Sequence, residues 1–409
     1  MGADAHLMQG EHSARQFSSE IRVLHVLDNL GMGGAETWLI ELLRFWHQSG
    51  NAPQIDFLAT GGAPGYYDDE VRKYASTIYY LRYGRTHIPS FARGIRQILR
   101  GGRYGVIHDH GDYSAGWHFL FAGRALPAVR VVHVHNPAFQ IRDNYGVSAI
   151  RRLTAQTGKA LVGRYATHIA GTSRQAICEY GFYAPRFDRI PKMALHCGFD
   201  TVPFRDVAAA RLSLRREFDW PESARIILCA GRIDPWPDPG HPRNHKNSGF
   251  AISVGIEAAR IDPSIRMVLA GTQSPAVPIL EDRIAQAGLA GRIRFVGIRD
   301  DLRRLMYASD VLLFPSRGEG LGMVAVEAQA AGLPVLASTA VPRECVVIPD
   351  LVRFEPLQRG APDWARALLE HAARPRDIAA ANKRVAASPF AIENSARALI
   401  DLYSQVWPA

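Results

Sequence analysis

Apolar residues along this chain gather in short runs separated by polar, glycine-rich or proline-rich stretches. Residues 21–27 (IRVLHVL) are almost continuously apolar, the pattern of a strand covered on both faces. A glycine-rich turn at 31–34 follows, and residues 35–46 then carry apolar positions at helical spacing. The pattern repeats. Strands are expected at 54–59, 77–81, 106–110, 129–133 and 168–170, with helices at 70–75, 90–100, 113–125 and 148–165. Strands alternating with helices predict a mainly parallel sheet with helices on both faces.

A second series begins after Phe204. Helices are expected at 208–218, 247–261, 279–287, 302–308 and 323–331, with strands at 225–230, 266–270, 293–296, 311–315 and 334–337. The predicted fold class is therefore α/β, with two Rossmann-like doubly wound domains. The first spans 21–203 and the second 204–389. Residues 1–20 lack an apolar core segment and read as a disordered leader. A long final helix at 392–406 can cross back, so that 390–409 completes the first domain. Open α/β sheets bind ligands at the carboxyl ends of their strands. Two such domains facing each other would line one cleft.

Composition narrows the function. No stretch of 18 apolar residues exists, so no transmembrane helix is expected and the protein should stay in the cytosol. The four cysteines are scattered without a CxxC pair, which fits neither a disulfide framework nor a metal clip. The net charge of +9 favours anionic partners: phosphorylated substrates, acidic lipid or nucleic acid. The basic residues form no long run, and nucleic acid is not an expected partner. Two looser clusters, 82–103 and 142–164, are either solvated helix faces or peripheral contacts with an anionic membrane.

Residues 314–338 (FPSRGEGLGMVAVEAQAAGLPVLAS) carry the most chemistry. A buried strand runs into a loop with three glycines, and a helix begins near Gly322. Free N–H groups and the helix dipole at that point suit phosphate. Glycines let a ligand approach the backbone closely. Glu319 and Glu327 sit beside it. Carboxylates repel phosphate but accept hydrogen bonds from sugar and ribose hydroxyls. The alternative is a helix start decorated with favourable acidic residues.

The setting PS-x-x-EGLG-x-x-x-x-EA-x-A-x-GLPV resembles the E-x7-E signature of family-4 glycosyltransferases of the GT-B fold, exopolysaccharide-biosynthesis type. The resemblance implies that Glu327 binds the nucleotide ribose and Glu319 lies beside the donor sugar. It also implies that the backbone around Gly320, Leu321 and Gly322 faces the sugar and diphosphate. Gly231-Arg232, after one strand, and Lys246-Asn247, opening the next helix, match the family's diphosphate-binding pair. Arg offers a planar fork and Lys a compact charge for a leaving diphosphate. The intervening stretch IDPWPDPGHPRNH is longer than the family's usual loop, which leaves Arg243 and His245 as alternatives to Lys246.

Further matches are softer. Gly31-Met32-Gly33-Gly34-Ala35-Glu36 departs from the G-x-G-x-x-G spacing of a dinucleotide site and resembles the family's GGAE turn, with Gly33 and Gly34 on the donor side. Histidines alternate at 108 and 110 and again at 133 and 135, at two strand ends. A metal site is one reading and packed strand residues another. The resemblance implies His110 as the histidine contacting the reacting sugar, and VHVHN places His135 and Asn136 on the acceptor side. Gly271 also falls on the donor side, and 297–299 (Gly297, Ile298, Arg299) is where the family holds the base by backbone contacts. The segments 171–173 and 196–200 resemble family segments, with Cys197 in place of the usual Asn and read as a buried small residue.

The expected activity is that of a retaining hexosyltransferase without cofactor or metal. It would use a UDP-sugar first and a GDP-sugar second. The acceptor would be a glycan or lipid-linked glycan of surface polysaccharide synthesis, met on the inner face of the cell membrane. A sugar-nucleotide epimerase and a non-catalytic binding protein are the alternatives.

Overall fold

In the computed structural model, residues 21–50, 52–145, 148–272 and 274–404 are described, and the leader expected at 1–20 lies outside them. Two sheets form, as the strand–helix alternation predicts. The first contains β1 (Arg22–Leu27), β2 (Gln54–Ala59), β3 (Ile78–Tyr80), β4 (Val106–Asp109), β5 (Val129–Val134), β6 (His168–Gly171) and β7 (Lys192–Ala194). Their order is β3-β2-β1-β4-β5-β6-β7, with every pairing parallel.

The second sheet contains β8 (Arg225–Ala230), β9 (Ile265–Ala270), β10 (Ile293–Gly297), β11 (Val311–Phe314), β12 (Val335–Ser338) and β13 (Val352–Glu355). Its order is β10-β9-β8-β11-β12-β13, again parallel. Each sheet reverses its winding once, between β1 and β4 and between β8 and β11. A crevice opens outside the strand ends at such a switch point. The turn at 31–36, His110, Arg232 and the loop after Phe314 follow these four strands.

The central strands are apolar because helices cover both faces. Val23, Leu24 and Val26 of β1 are fully buried, as are Leu312 and Leu313 of β11. The helix Gly34–Ser49 buries Trp38, Leu39, Leu42, Leu43 and Trp46 in the first lobe. Gly50, at φ 70°, ends it in the left-handed conformation that glycine takes without strain.

The final helix, Ile392–Ser404, packs Ala396, Leu399, Leu402 and Tyr403 into that same core. Trp38 Nε1 donates to Ser395 Oγ at 2.9 Å, and Ser395 Oγ donates to the His196 carbonyl at 2.7 Å. The chain therefore leaves the first lobe after β7, builds the second, and returns.

The structure also shows elements that the hydrophobic pattern did not mark. β7 and β13 have three and four residues, mostly half-buried, too short to show a period. The helices Ala138–Tyr145, Arg174–Glu179, Gly360–Ala372 and Ile378–Ala386 were likewise not expected. The helix expected at 113–125 runs only over Ser114–Ala122, and a 3-10 turn at Gly123–Ala125 follows. The helix expected at 392–406 is described to Ser404, with 405–406 outside the described residues.

Candidate active site

The second-lobe site is organised by a carboxylate that sequence reasoning passed over. Asp234 stands two residues beyond Arg232, and its side chain is only 2% exposed. Its Oδ1 accepts from Arg232 Nε at 2.9 Å, and its Oδ2 accepts from the Lys246 backbone N–H at 2.7 Å. One buried group thus holds both ends of the proline-rich loop. The loop can be long without displacing Lys246. The signal was present as Gly-Arg-Ile-Asp, but an Asp so close to the Arg reads as a surface ion pair.

Lys246 in turn places Nζ 2.6 Å from Glu319 Oε1. Arg232, Asp234, Lys246 and Glu319 therefore form one continuous chain of contacts between the ends of β8 and β11. Two further bonds fasten the neighbouring loops: Asn247 Nδ2 donates to the Pro315 carbonyl at 3.2 Å, and Arg317 N–H donates to the His245 carbonyl at 2.8 Å. Of the alternatives to Lys246, Arg243 donates to the Asp143 carbonyl at 2.9 Å and lies over Trp236, while His245 packs beside Phe139. Both reach toward the first lobe.

Glycines permit these turns. Gly231 has φ 145°, a region closed to residues with a Cβ. A Cβ on Gly271 would lie 1.8 Å from the Gly231 carbonyl oxygen. Gly322, at φ 94°, precedes the helix Met323–Ala330. Leu321 is buried in the core below. A Cβ on Gly320 would lie 1.8 Å from the His135 carbonyl oxygen in the other lobe. Ser173 Oγ donates to the Gly320 carbonyl, and Gln140 Nε2 donates to the Gly318 carbonyl at 3.0 Å. The loop after β11 is thus pinned against the tips of β5 and β6. Glu344 adds a second bridge, accepting from the backbone N–H groups of Arg174 and Gln175 at 2.9 and 3.1 Å.

Glu327 stands apart from this chain of contacts. It sits in the second turn of Met323–Ala330 and lines a cavity of about 90 Å³, together with Asp200, Thr201, Arg303 and Asn382. Burial pushes its carboxyl up to about 7, and the nearby Glu41 adds to the effect. Ile298 is half exposed. The Arg299 guanidinium is held by Asp301 at 2.7 Å and by Glu217, so only its backbone is left for a ligand.

In the first lobe, Gly33 caps the helix Gly34–Ser49 in an extended conformation, and a Cβ there would meet the Glu36 carboxylate. Gly34 faces open space. His110 and His135 are bonded to each other, with Nδ1 to Nε2 at 2.7 Å. Asn136 is exposed beside them. His25, inside the apolar run of β1, is a further member that the sequence reading missed. Its Nδ1 lies 2.9 Å from His110 Nε2. Its position opposite His108 in the β1–β4 register is the signal that could have revealed it. Burial lowers the basicity of all five histidines, with His25 and His135 both brought down to about 3. Cys197 is buried, and its thiol is pushed up by burial.

Two doubly wound parallel-sheet lobes whose strand-end loops face each other make up the GT-B fold. Residues 32–194 match the glycosyltransferase family 4 model, and 224–370 match glycosyl transferases group 1. The chain is 29% identical over 375 residues to EpsF of Bacillus subtilis (strain 168), a glycosyltransferase by name, covering 88% of this chain and 90% of that one. It is 30% identical over 283 residues to D-inositol 3-phosphate glycosyltransferase of Mycolicibacterium gilvum (strain PYR-GCK), covering 66% and 59%. Among solved structures, Anabaena HepE in complex with UDP and glucose superposes with TM-score 0.69 at 18% identity, covering 94% of this chain and all of that one. Sucrose-phosphate synthase of Thermosynechococcus elongatus gives TM-score 0.72 at 20% identity, covering 95% and 99%. The chain thus carries a glycosyltransferase family 4 domain followed by a group 1 domain, and it is a glycosyltransferase.

The fit of Gly320 against His135 is testable. Gly320→Ala must push the loop after β11 away from the first lobe. Glycosyl transfer should fall at least tenfold, with the circular dichroism spectrum unchanged. Full activity would show that this contact is dispensable.

Proposed function

We propose that the enzyme moves a hexose, with retention, from a nucleoside-diphosphate sugar to a hydroxyl of a glycan or lipid-linked glycan in surface polysaccharide synthesis. The observation that carries this reading is the contact chain Arg232–Asp234 and Lys246–Glu319, set beside the free helix start at Gly322. UDP is the first choice of nucleotide, since the Anabaena relative holds UDP and glucose. GDP is the second. The name EpsF supports an exopolysaccharide setting.

The chemistry follows from charge. Negative charge grows on the diphosphate as the sugar bond breaks. Arg232, Lys246 and the backbone amides of 320–322 meet that charge in place of a metal. Such donors act most strongly where they are already oriented, and Asp234 orients the two cations here. In the free enzyme the Lys246 ammonium is shared with Glu319. A bound diphosphate draws it away and frees the Glu319 carboxylate for sugar hydroxyls. The acceptor hydroxyl attacks from the face that the diphosphate leaves. A leaving phosphate oxygen takes the proton, and His110 with Glu319 orients the sugar. Glu327 accepts from the ribose hydroxyls, with the backbone of Ile298 and Arg299 toward the base. His135 and Asn136 face the acceptor.

Arg232→Ala and Lys246→Ala should each lower kcat by about 10²–10³. Product analysis with a UDP-sugar, with and without a lipid-linked acceptor, checks this. EDTA should leave the rate unchanged. Wild-type rates in both variants would remove the cation pair from the mechanism, and a new sugar formed from donor alone would favour epimerisation.

The Glu327 carboxyl titrates near 7 because burial opposes its charge. Its charged form, which accepts from two hydroxyls, is lost as the pH falls through that value. The donor KM should therefore rise below pH 7, approaching about tenfold per unit. Glu327→Gln should raise KM and abolish the slope. A slope that survives in Glu327→Gln belongs to another group.

No described helix is long and apolar enough to cross a membrane. The helix Ala149–Tyr165 exposes Ile150 and Leu153 beside the exposed Arg151 and Arg152. An apolar pair flanked by cations suits shallow contact with anionic lipid at the inner face of the cell membrane. Co-sedimentation with phosphatidylglycerol vesicles should weaken in high salt and in Ile150→Asp/Leu153→Asp. Sedimentation indifferent to both would contradict the contact.

A further inference from the structure

Five histidines from three adjacent strands meet under the first-lobe side of the cleft. Three come from strand interiors or their tips: His25 on β1, His108 on β4 and His133 on β5. His110 and His135 follow the last two strands. We propose that His110, His133 and His135 form a binding site for a divalent transition metal, zinc above all.

Several of the ring nitrogens are already engaged. His110 Nε2 is held by His25 Nδ1 at 2.9 Å, and His133 Nδ1 is held by His108 Nε2 at 3.2 Å. His110 Nδ1 and His135 Nε2 face each other at 2.7 Å. His133 Nε2 is buried and makes no well-formed hydrogen bond, with the Leu195 backbone nearby. His110 Nδ1, His133 Nε2 and His135 Nε2 are therefore the nitrogens left to converge on an ion. Ligand atoms from these three side chains lie within 4.8 Å of one another.

Zinc at about 2.0–2.1 Å from each nitrogen would hold them roughly 3.3 Å apart. His110 and His135 need open by only about half an ångström, which small side-chain rotations supply. The contacts given up are their mutual hydrogen bond and the approach of His133 to the Leu195 backbone, as His133 Nε2 closes on the other two nitrogens.

The chemistry of the donors selects the metal. Three imidazoles suit zinc, cobalt, nickel or copper, and do not suit magnesium or calcium. The outer shell is present as well. His25 and His108 fix the second nitrogens of His110 and His133, the role that partners of metal-bound histidines play. Both then meet Tyr403 of the final helix, whose hydroxyl lies 2.8 Å from His108 Nδ1 and 3.3 Å from His25 Nε2. With metal bound, His110 donates to His25 and His133 donates to His108. Each second ring then donates to the Tyr403 oxygen, which has two lone pairs to receive them.

His110 and His135 are only half-buried, so the ion enters from the cleft and keeps an open position there. A second triad, His25, His108 and His110, lies deeper, and Tyr403 occupies one nitrogen each of His25 and His108.

Metal binding here does not depend on the transfer mechanism. Its consequence does: an ion on His110 Nδ1 removes that ring from the sugar, so zinc acts as a reversible inhibitor of an enzyme that needs no metal. The test is a titration of the chelator-stripped full chain with Co²⁺, followed by its visible d–d bands and then by displacement with Zn²⁺.

One equivalent should bind, and Zn²⁺ should raise the melting temperature. His133→Gln and His135→Gln should each weaken binding at least tenfold. His47→Ala, an exposed histidine on Gly34–Ser49, should not. Should His133→Gln fail to fold, His135→Gln, at the half-buried tip, decides. Absence of d–d bands and of a melting shift at about a hundred micromolar metal, or binding unchanged in His135→Gln, would overturn the proposal. In the transfer assay, inhibition should track Co²⁺ affinity. Bound metal without inhibition would overturn the His110 consequence and leave the site standing.

Discussion

The second lobe depends on one buried carboxylate. Asp234 is nearly inaccessible, and a charge in that position is tolerated only because it is fully paired. It accepts from the Arg232 guanidinium and from the Lys246 amide. Charge-assisted bonds of this kind are worth about 1.5–3 kcal/mol each. Their greater effect is geometric. Arg232 and Lys246 come from opposite ends of a loop that could otherwise hold them anywhere. Asp234 fixes both to the end of β8, and Lys246 then meets Glu319 at the end of β11. Cations and carboxylates are thereby held in one chain of contacts without any ligand.

The same economy governs how the lobes meet. Gly320 has no side chain because the His135 carbonyl fills that space. Ser173 and Gln140 then receive the loop carbonyls, and Glu344 reaches back to the start of the helix Arg174–Glu179. Each of these contacts joins a strand-end loop of one lobe to a strand-end loop of the other. The cleft walls are therefore tied to the sheets. The final helix fastens the returning chain to the first lobe, through Trp38 and Ser395.

Much of this was legible in the sequence, and the rest was hidden for physical reasons. The apolar runs of β1, β8, β9 and β11 announced themselves because both faces of each strand are covered. β7 and β13 stayed hidden because three or four half-buried residues have no period to read. Glu319, Lys246 and Arg232 were chosen from the resemblance to a family's motifs, and the structure brings those three together. Asp234 was missed because burial, which makes its carboxylate an organiser, is invisible in a local sequence. His25 was missed because a histidine within an apolar run looks like an interruption until the β1–β4 pairing sets it beside His108. Arg299 was chosen for its backbone, and its side chain is committed to Asp301 and Glu217, a pairing across 82 residues that no local pattern shows.

We propose that Asp234 organises a diphosphate site. A crystal structure of the enzyme with UDP tests it most directly. The β-phosphate should lie within hydrogen-bonding distance of both Arg232 and Lys246, with Asp234 still bonded to the Lys246 amide and Glu319 released from the ammonium. A diphosphate bound elsewhere in the cleft, with the Lys246–Glu319 pair intact, would contradict it.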